Sequence, residues 1–169
     1  MNRRTALTAT LVSAILAGLA VSGGDTAAQG AKSLVGTWAP VSVDTTDASG
    51  KRAPSFGPNP RGSLIFTSNG RYSIWVGAAT LPKFASNNRS KGTAEENQAV
   101  IAGSIAHFGK YTVDEKDKSF TFHVETSTFA NWDGTPQKRP FTVSGDLLKY
   151  TNPVGSAGGR ADLVWKRVK

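Results

Sequence analysis

The sequence predicts an all-β fold, an antiparallel up-and-down β-barrel of about eight strands with one inserted α-helix. Three observations carry this. Short apolar runs rich in β-branched and aromatic residues recur between turns marked by Gly, Pro, Asn and Asp. Asn69-Gly70 stands between two such runs, "SLIFT" and "YSIWV", which is the strongest short hairpin signal. One stretch, 93–108, has helical rather than alternating spacing. Short connections between most neighbouring strands favour a meander closed into a barrel, with a two-sheet sandwich as the alternative.

Taken in order, the first 28 residues are expected to be removed as a signal peptide. Arg3 and Arg4 form a positive start, Leu11 to Val21 an apolar stretch, and Thr26-Ala27-Ala28 a small-residue cleavage site. The rival reading is an anchor helix. That needs about 20 strongly apolar residues, and Ser13, Gly18, Ser22 and Gly23-Gly24 weaken it. The segment reads as a Sec signal, and its paired arginines also admit a twin-arginine one, although Ala6 and Leu7 follow where a bulky pair is favoured. The expected location is periplasmic or extracellular. Residues 29–33 read as a short linker, and 34–169 as one domain with room for one core.

Leu34 to Val43 suits a strand. "TTDASGKRAPSFGPNPRG" is turn chemistry and reads as a loop. Strands at 63–67 and 72–76 make the hairpin, with Asn69-Gly70 tolerating the positive φ of a tight primed turn. A second loop leads to the helix. Thr93 as N-cap with Glu96 three residues later makes a capping box. Asn97, Val100, Ile101, Ser104, Ile105 and Phe108 form a stripe expected to lie on apolar surface, and Gly109 is the stop. Five strands follow: "KYTVDE", "SFTFHVET", "KRPFTVSG", "LLKYTN" and, after the Gly-rich "PVGSAGGR", "ADLVWKRV".

Composition excludes several functions. With no cysteine there is neither a lipoprotein anchor nor a disulfide, so an exported domain is held by its core alone. The net charge is +8, but the positive residues are scattered, with no run of five. That is a soluble basic surface rather than a nucleic-acid face, and no membrane span is expected in the mature chain. No Gly-x-Ser-x-Gly is present, and "GSAGG" lacks the context of a phosphate cradle. His123 and Glu125 would supply two metal ligands at strand spacing, with His107, Asp114 or Asp133 as candidate thirds. No motif fixes that third ligand, so neither a metal nor a cofactor is assigned.

Gly36-Thr37-Trp38 opens the first strand, and a Gly-x-Trp at that place resembles the lipocalin signature. In that signature the tryptophan plugs the closed end of the barrel under a basic residue of the last strand. Arg167 stands where that partner belongs, with Lys166 as the other candidate. Longer stretches, "GKRAPSFGPNPRGSLIFTSNGRYS", "PKFASNNRSKGTAEENQAVIAGSIAHFGKYTVDE" and "FANWDGTPQKRPFTVSGDLL", together with "HVE" and "LVWKR", are similar to the bacterial and fungal lipocalin-like domain family. The resemblance covers nearly all of the mature chain and implies a small barrel with an enclosed cavity. The chain departs from ordinary lipocalins, whose helix follows the last strand; here it lies between the third and fourth. The family pattern often has His-His before Val124, and Phe122 replaces the first.

The polar candidates centre on His123 and Glu125. On "SFTFHVET" they share a face opposite Phe120, Phe122 and Val124. Two placements stay open. The phenylalanine face packs in the core and His123 and Glu125 meet water, or the amphipathic helix covers the phenylalanines from outside and the pair points into the barrel. In the second case Arg139, Tyr72 and Tyr111 are candidate polar neighbours, and Trp75 and Trp132 candidate aromatic walls, of a ligand site. The reading that follows is an exported lipocalin-like protein binding a small, largely apolar or amphipathic molecule. One alternative is an isomerase- or cyclase-type enzyme in which His123 or Glu125 moves a proton. Another is a barrel filled by its own side chains.

Overall fold

In the computed structural model, residues 30–169 are described; the expected signal segment lies outside them. One antiparallel sheet closes on itself. The strands are β1 (Gly36–Thr46), β2 (Arg52–Pro54), β3 (Arg61–Phe66), β4 (Arg71–Gly77), β5 (Ser104–Asp114), β6 (Ser119–Ser127), β7 (Pro136–Ser144), β8 (Leu147–Asn152) and β9 (Arg160–Arg167). Neighbours from β3 to β9 pair in chain order, and β1 pairs with both β3 and β9. Eight strands therefore form an up-and-down barrel. The three-residue β2, on a stretch expected to be loop, adds to the far end of β1. The helix α1 (Ala94–Gly103) lies between β4 and β5.

Alternation sets the inside of the barrel. On β4, Tyr72, Ile74 and Val76 are buried, while Ser73 and Trp75 are exposed. On β6, Phe120, Phe122 and Val124 are buried, while His123 and Glu125 are exposed. On β9, Ala161, Leu163 and Trp165 point in. These side chains belong to a single apolar core.

The two ends differ. Three tight turns, between β3 and β4, β5 and β6, and β7 and β8, sit at one end with residues 30–35 and the end of β9. Trp38 plugs this end. It is fully buried, and its indole Nε1 donates to the Leu34 carbonyl at 2.8 Å. Arg167 lies across it, Cζ 4.0 Å from the ring centre, and donates to the carbonyls of Ser33 and Val35, each at 2.7 Å. Lys166 is exposed. Residues 30–34 are a helical turn, where 30–33 were expected as linker and Leu34 as the start of the first strand; the turn supplies the Ser33 and Leu34 carbonyls, and Val35 follows it.

The helix differs from its sequence expectation. Its start is as read: Thr93 Oγ1 accepts from the Glu96 N–H and Glu96 Oε2 accepts from the Thr93 N–H. It ends at Gly103, however, and Ser104 to Phe108 are strand. The segment 105–113 fits a period of two as well as it fits a helix, and β4 from Arg71 to Gly77 needs a partner for its backbone groups. Sheet closure decides. None of the helix side chains is buried, so the stripe does not cover the phenylalanines from outside.

Candidate binding site

The connections at the end opposite Trp38 are long, and a cavity of about 540 Å³ opens among them. That volume suits one small ligand. Ile74, Val76, Phe122 and Leu163 form apolar walls; Ile101 of α1, Phe129 and the 155–158 loop form part of the rim. Ile101 is 69% exposed, so the rim meets solvent. Below the cavity Phe66, Phe120 and Tyr111 pack edge to face and fill the space down to the plug.

The buried polar groups that line the cavity come from β5, β7 and β8, with Tyr72 of β4 behind one of them. His107 of β5 is 6% exposed, and its Nδ1 shares a 2.8 Å hydrogen bond with the Tyr72 hydroxyl of β4. The ring meets Phe122 and Trp132 edge on, at centroid distances of 5.4 and 5.6 Å. Arg139 of β7 is 4% exposed and lines the cavity, as does Tyr150 of β8. Arg139 Nη2 donates to Gln137 Oε1 and Nη1 to the Lys138 carbonyl at 3.1 Å. Gln137 Nε2 in turn donates to Thr135 Oγ1 at 3.2 Å, and that hydroxyl to the Trp132 carbonyl at 2.6 Å. This chain ties the guanidinium to the short 3₁₀ turn Ala130–Trp132 at the rim.

Burial governs the charges. Desolvation, and then the positive field of Arg139, hold His107 down to about 3, so the imidazole is neutral at physiological pH. Desolvation brings Arg139 down to about 10, partly opposed by Tyr150 and Tyr72, and it stays cationic. Desolvation raises both tyrosines, which remain protonated. The cavity thus presents one cation, neutral hydrogen-bonding groups and apolar walls.

Of the residues singled out from sequence, Trp132 and Arg139 line the cavity and Tyr72 supports His107 from behind. Tyr111 points inward but lies lower, its hydroxyl donating to the Thr67 carbonyl at 3.0 Å. Trp75 lies outside the barrel and is 40% exposed. The His123–Glu125 pair is corrected too: both residues are on the outer face, because the phenylalanines opposite them fill the interior. Glu125 makes a two-point ion pair with Arg71, at 3.0 and 2.7 Å, and His123 Nε2 pairs with Thr112 Oγ1 at 3.0 Å. The pair cannot reach a molecule inside the barrel. Among the described residues no group of three His, Cys, Asp or Glu could hold a metal ion. From sequence His107 was only a candidate third metal ligand and not a residue of the ligand pocket, because it was put on the helix; the alternation Ile105, His107, Gly109, Tyr111 was the signal for its inward place.

A comparison with known families matches the lipocalin-like domain to residues 35–168, which span the whole closed barrel. The chain belongs to that family. One curated relative of this lipocalin-like domain is the 4'-hydroxy-3'-methoxypropiophenone carrier protein ppsC of Aspergillus oryzae. It is 29% identical over 87 residues, 46% of this chain and 78% of the relative. The lipocalin-like barrel and the carrier relative together support small-molecule binding in general.

Proposed function

We propose that this lipocalin-like protein is an exported carrier that holds a small, largely apolar, aromatic molecule in the barrel. The observation that carries the reading is the open cavity of about 540 Å³, with apolar and aromatic walls and a few buried polar groups, His107, Arg139 and Tyr150, among them. Pockets of this composition take ligands by burying their apolar surface and orienting them with a few hydrogen bonds. The relative named as carrier of an aryl ketone supports an aromatic ligand of similar bulk. The signal-like segment 1–28 supports export.

One preparation tests both parts. The full-length chain is produced in an exporting bacterial host, and the protein from the periplasm or medium is examined by native mass spectrometry. The expected result is a polypeptide beginning at Gln29 with a stable extra mass, released on denaturation and aromatic in its ultraviolet spectrum. A ligand-free mass under conditions that keep weak complexes intact would instead favour a barrel without cargo. A retained N-terminal segment in the cytoplasm would remove export.

A further inference from the structure

We propose that the ligand carries an ionised acidic group on its apolar body, and that Arg139 is its counter-ion inside the barrel. The inference rests on the carrier reading and deepens it. Arg139 is 4% exposed, yet among the described residues none of the five ion pairs includes it. Arg52, Arg71 and Arg160 take carboxylates on the outside of the barrel. Arg61 and Arg89 have none among the described residues but are exposed, and Arg167 lies on the Trp38 ring with two carbonyls. Arg139 is the buried one that lines the cavity, and it has no carboxylate among the described residues.

A charge this deeply buried is costly without a partner, and a fully buried guanidinium is normally paired. Two of its five N–H donors are used, one on Gln137 and one on the Lys138 carbonyl, and three remain. The other ionisable groups around it, His107, Tyr72 and Tyr150, are neutral, so no protein anion competes for those donors. The chain through Gln137 and Thr135 to the Trp132 carbonyl fixes the guanidinium before any ligand arrives. A planar fork held ready among aromatic walls suits a delocalised oxygen anion, accepted by two parallel hydrogen bonds. A carboxylate meets the fork with two oxygens, a phenolate with one oxygen that takes both N–H groups, and the test separates the two.

Calorimetric titration of the purified chain with cinnamate and with cinnamamide compares an anion and a neutral molecule of nearly the same shape. Cinnamate is expected to bind about tenfold tighter or better. Arg139→Met, which replaces the cation with an apolar chain of similar length, is expected to abolish that preference while still binding the amide. Arg139→Lys keeps the charge without the fork, and an intermediate preference is expected. In a parallel titration, 4-nitrophenol reports its ionisation through its absorption spectrum. A shift toward the phenolate on binding to the wild type, absent with Arg139→Met, extends the site to phenols; no shift confines it to carboxylates. Equal affinity for acid and amide in the wild type, or a preference that survives Arg139→Met, overturns the counter-ion role and leaves the carrier reading standing. Failure of every probe, charged or neutral, to bind the wild type overturns both.

Discussion

His107 carries its imidazole into the barrel as an uncharged group, and this links stability to pH. In the unfolded chain a histidine titrates near 6.5, and in the fold this one is held down to about 3. The unfolded state therefore binds the extra proton across that window. Stability from this group is complete above about pH 6.5 and is lost as pH falls toward 3, by at most about 1.4 kcal/mol per pH unit. Tyr72, Arg139 and Tyr150 surround the site, and none gains or loses a proton there in that range. Depressed carboxylates such as Glu125 and Asp162 act in the same direction, so the difference between two proteins isolates the histidine. His107→Gln keeps a hydrogen-bonding partner for Tyr72 without the titration. Urea unfolding at several pH values is expected to show a shallower acid slope for this variant, by up to one proton. An unchanged slope would mean that His107 is hydrated and charges freely. Nothing in the residue type told His107 from His123; only knowing which face of each strand is inside separates them, and that depends on partners far away in the chain.

At the scale of elements, the hairpin between β3 and β4 was legible, but its turn differs in kind. The primed two-residue turn read from Asn69-Gly70 would place both residues at positive φ. In the structure Gly70 alone is there, at φ +78°, and its N–H donates to the Thr67 carbonyl at 3.2 Å. Ser68, Asn69 and Gly70 form a three-residue loop closed by the Thr67 N–H donating to the Arg71 carbonyl. The conformational demand falls on the glycine. Gly70→Ala is expected to cost roughly 1 kcal/mol, read as a lower urea midpoint at unchanged m-value, whereas Asn69→Ala costs less. Equal costs would restore the primed turn. The capping box at Thr93 was equally legible, because its chemistry is local. The end of α1 was not: Ser104 to Phe108 satisfy both periods, and the edge of β4 makes the choice. The short β2 was hidden for the same reason, since three exposed residues carry no pattern of their own.

For the whole molecule, closure was legible from the number of strands and their short turns, whereas the contents of the barrel were not. The same alternation describes a filled barrel and an open one. What separates them is how far up the large aromatics reach: Phe66, Tyr111 and Phe120 pack the lower part, and Phe122 above them already borders the cavity. Arg167 belongs to this scale, because its bonds to Ser33 and Val35 tie the start of the domain to its last strand across the Trp38 plug. Arg167→Met is expected to destabilise the barrel by about 1–3 kcal/mol. The thermal midpoint should fall by roughly 3–10 °C with ligand affinity little changed. Arg167→Lys should recover only part of the loss, since one ammonium cannot cover the ring and reach both carbonyls as the fork does. A full recovery would reduce the role of Arg167 to charge alone.

The same knot at the plug places both described ends of the domain at one pole, where the Val168 N–H also donates to the Thr37 carbonyl at 2.8 Å. The mouth is at the other pole. A fluorescent reporter or a surface tether joined beyond Val168 would therefore leave the ligand's route free, and an immobilised barrel would present its opening to the solution. The two ends are also near enough to be spliced, with new ends cut into the Gly-rich 155–159 stretch at the rim, so that the barrel can be rewired without breaking a strand.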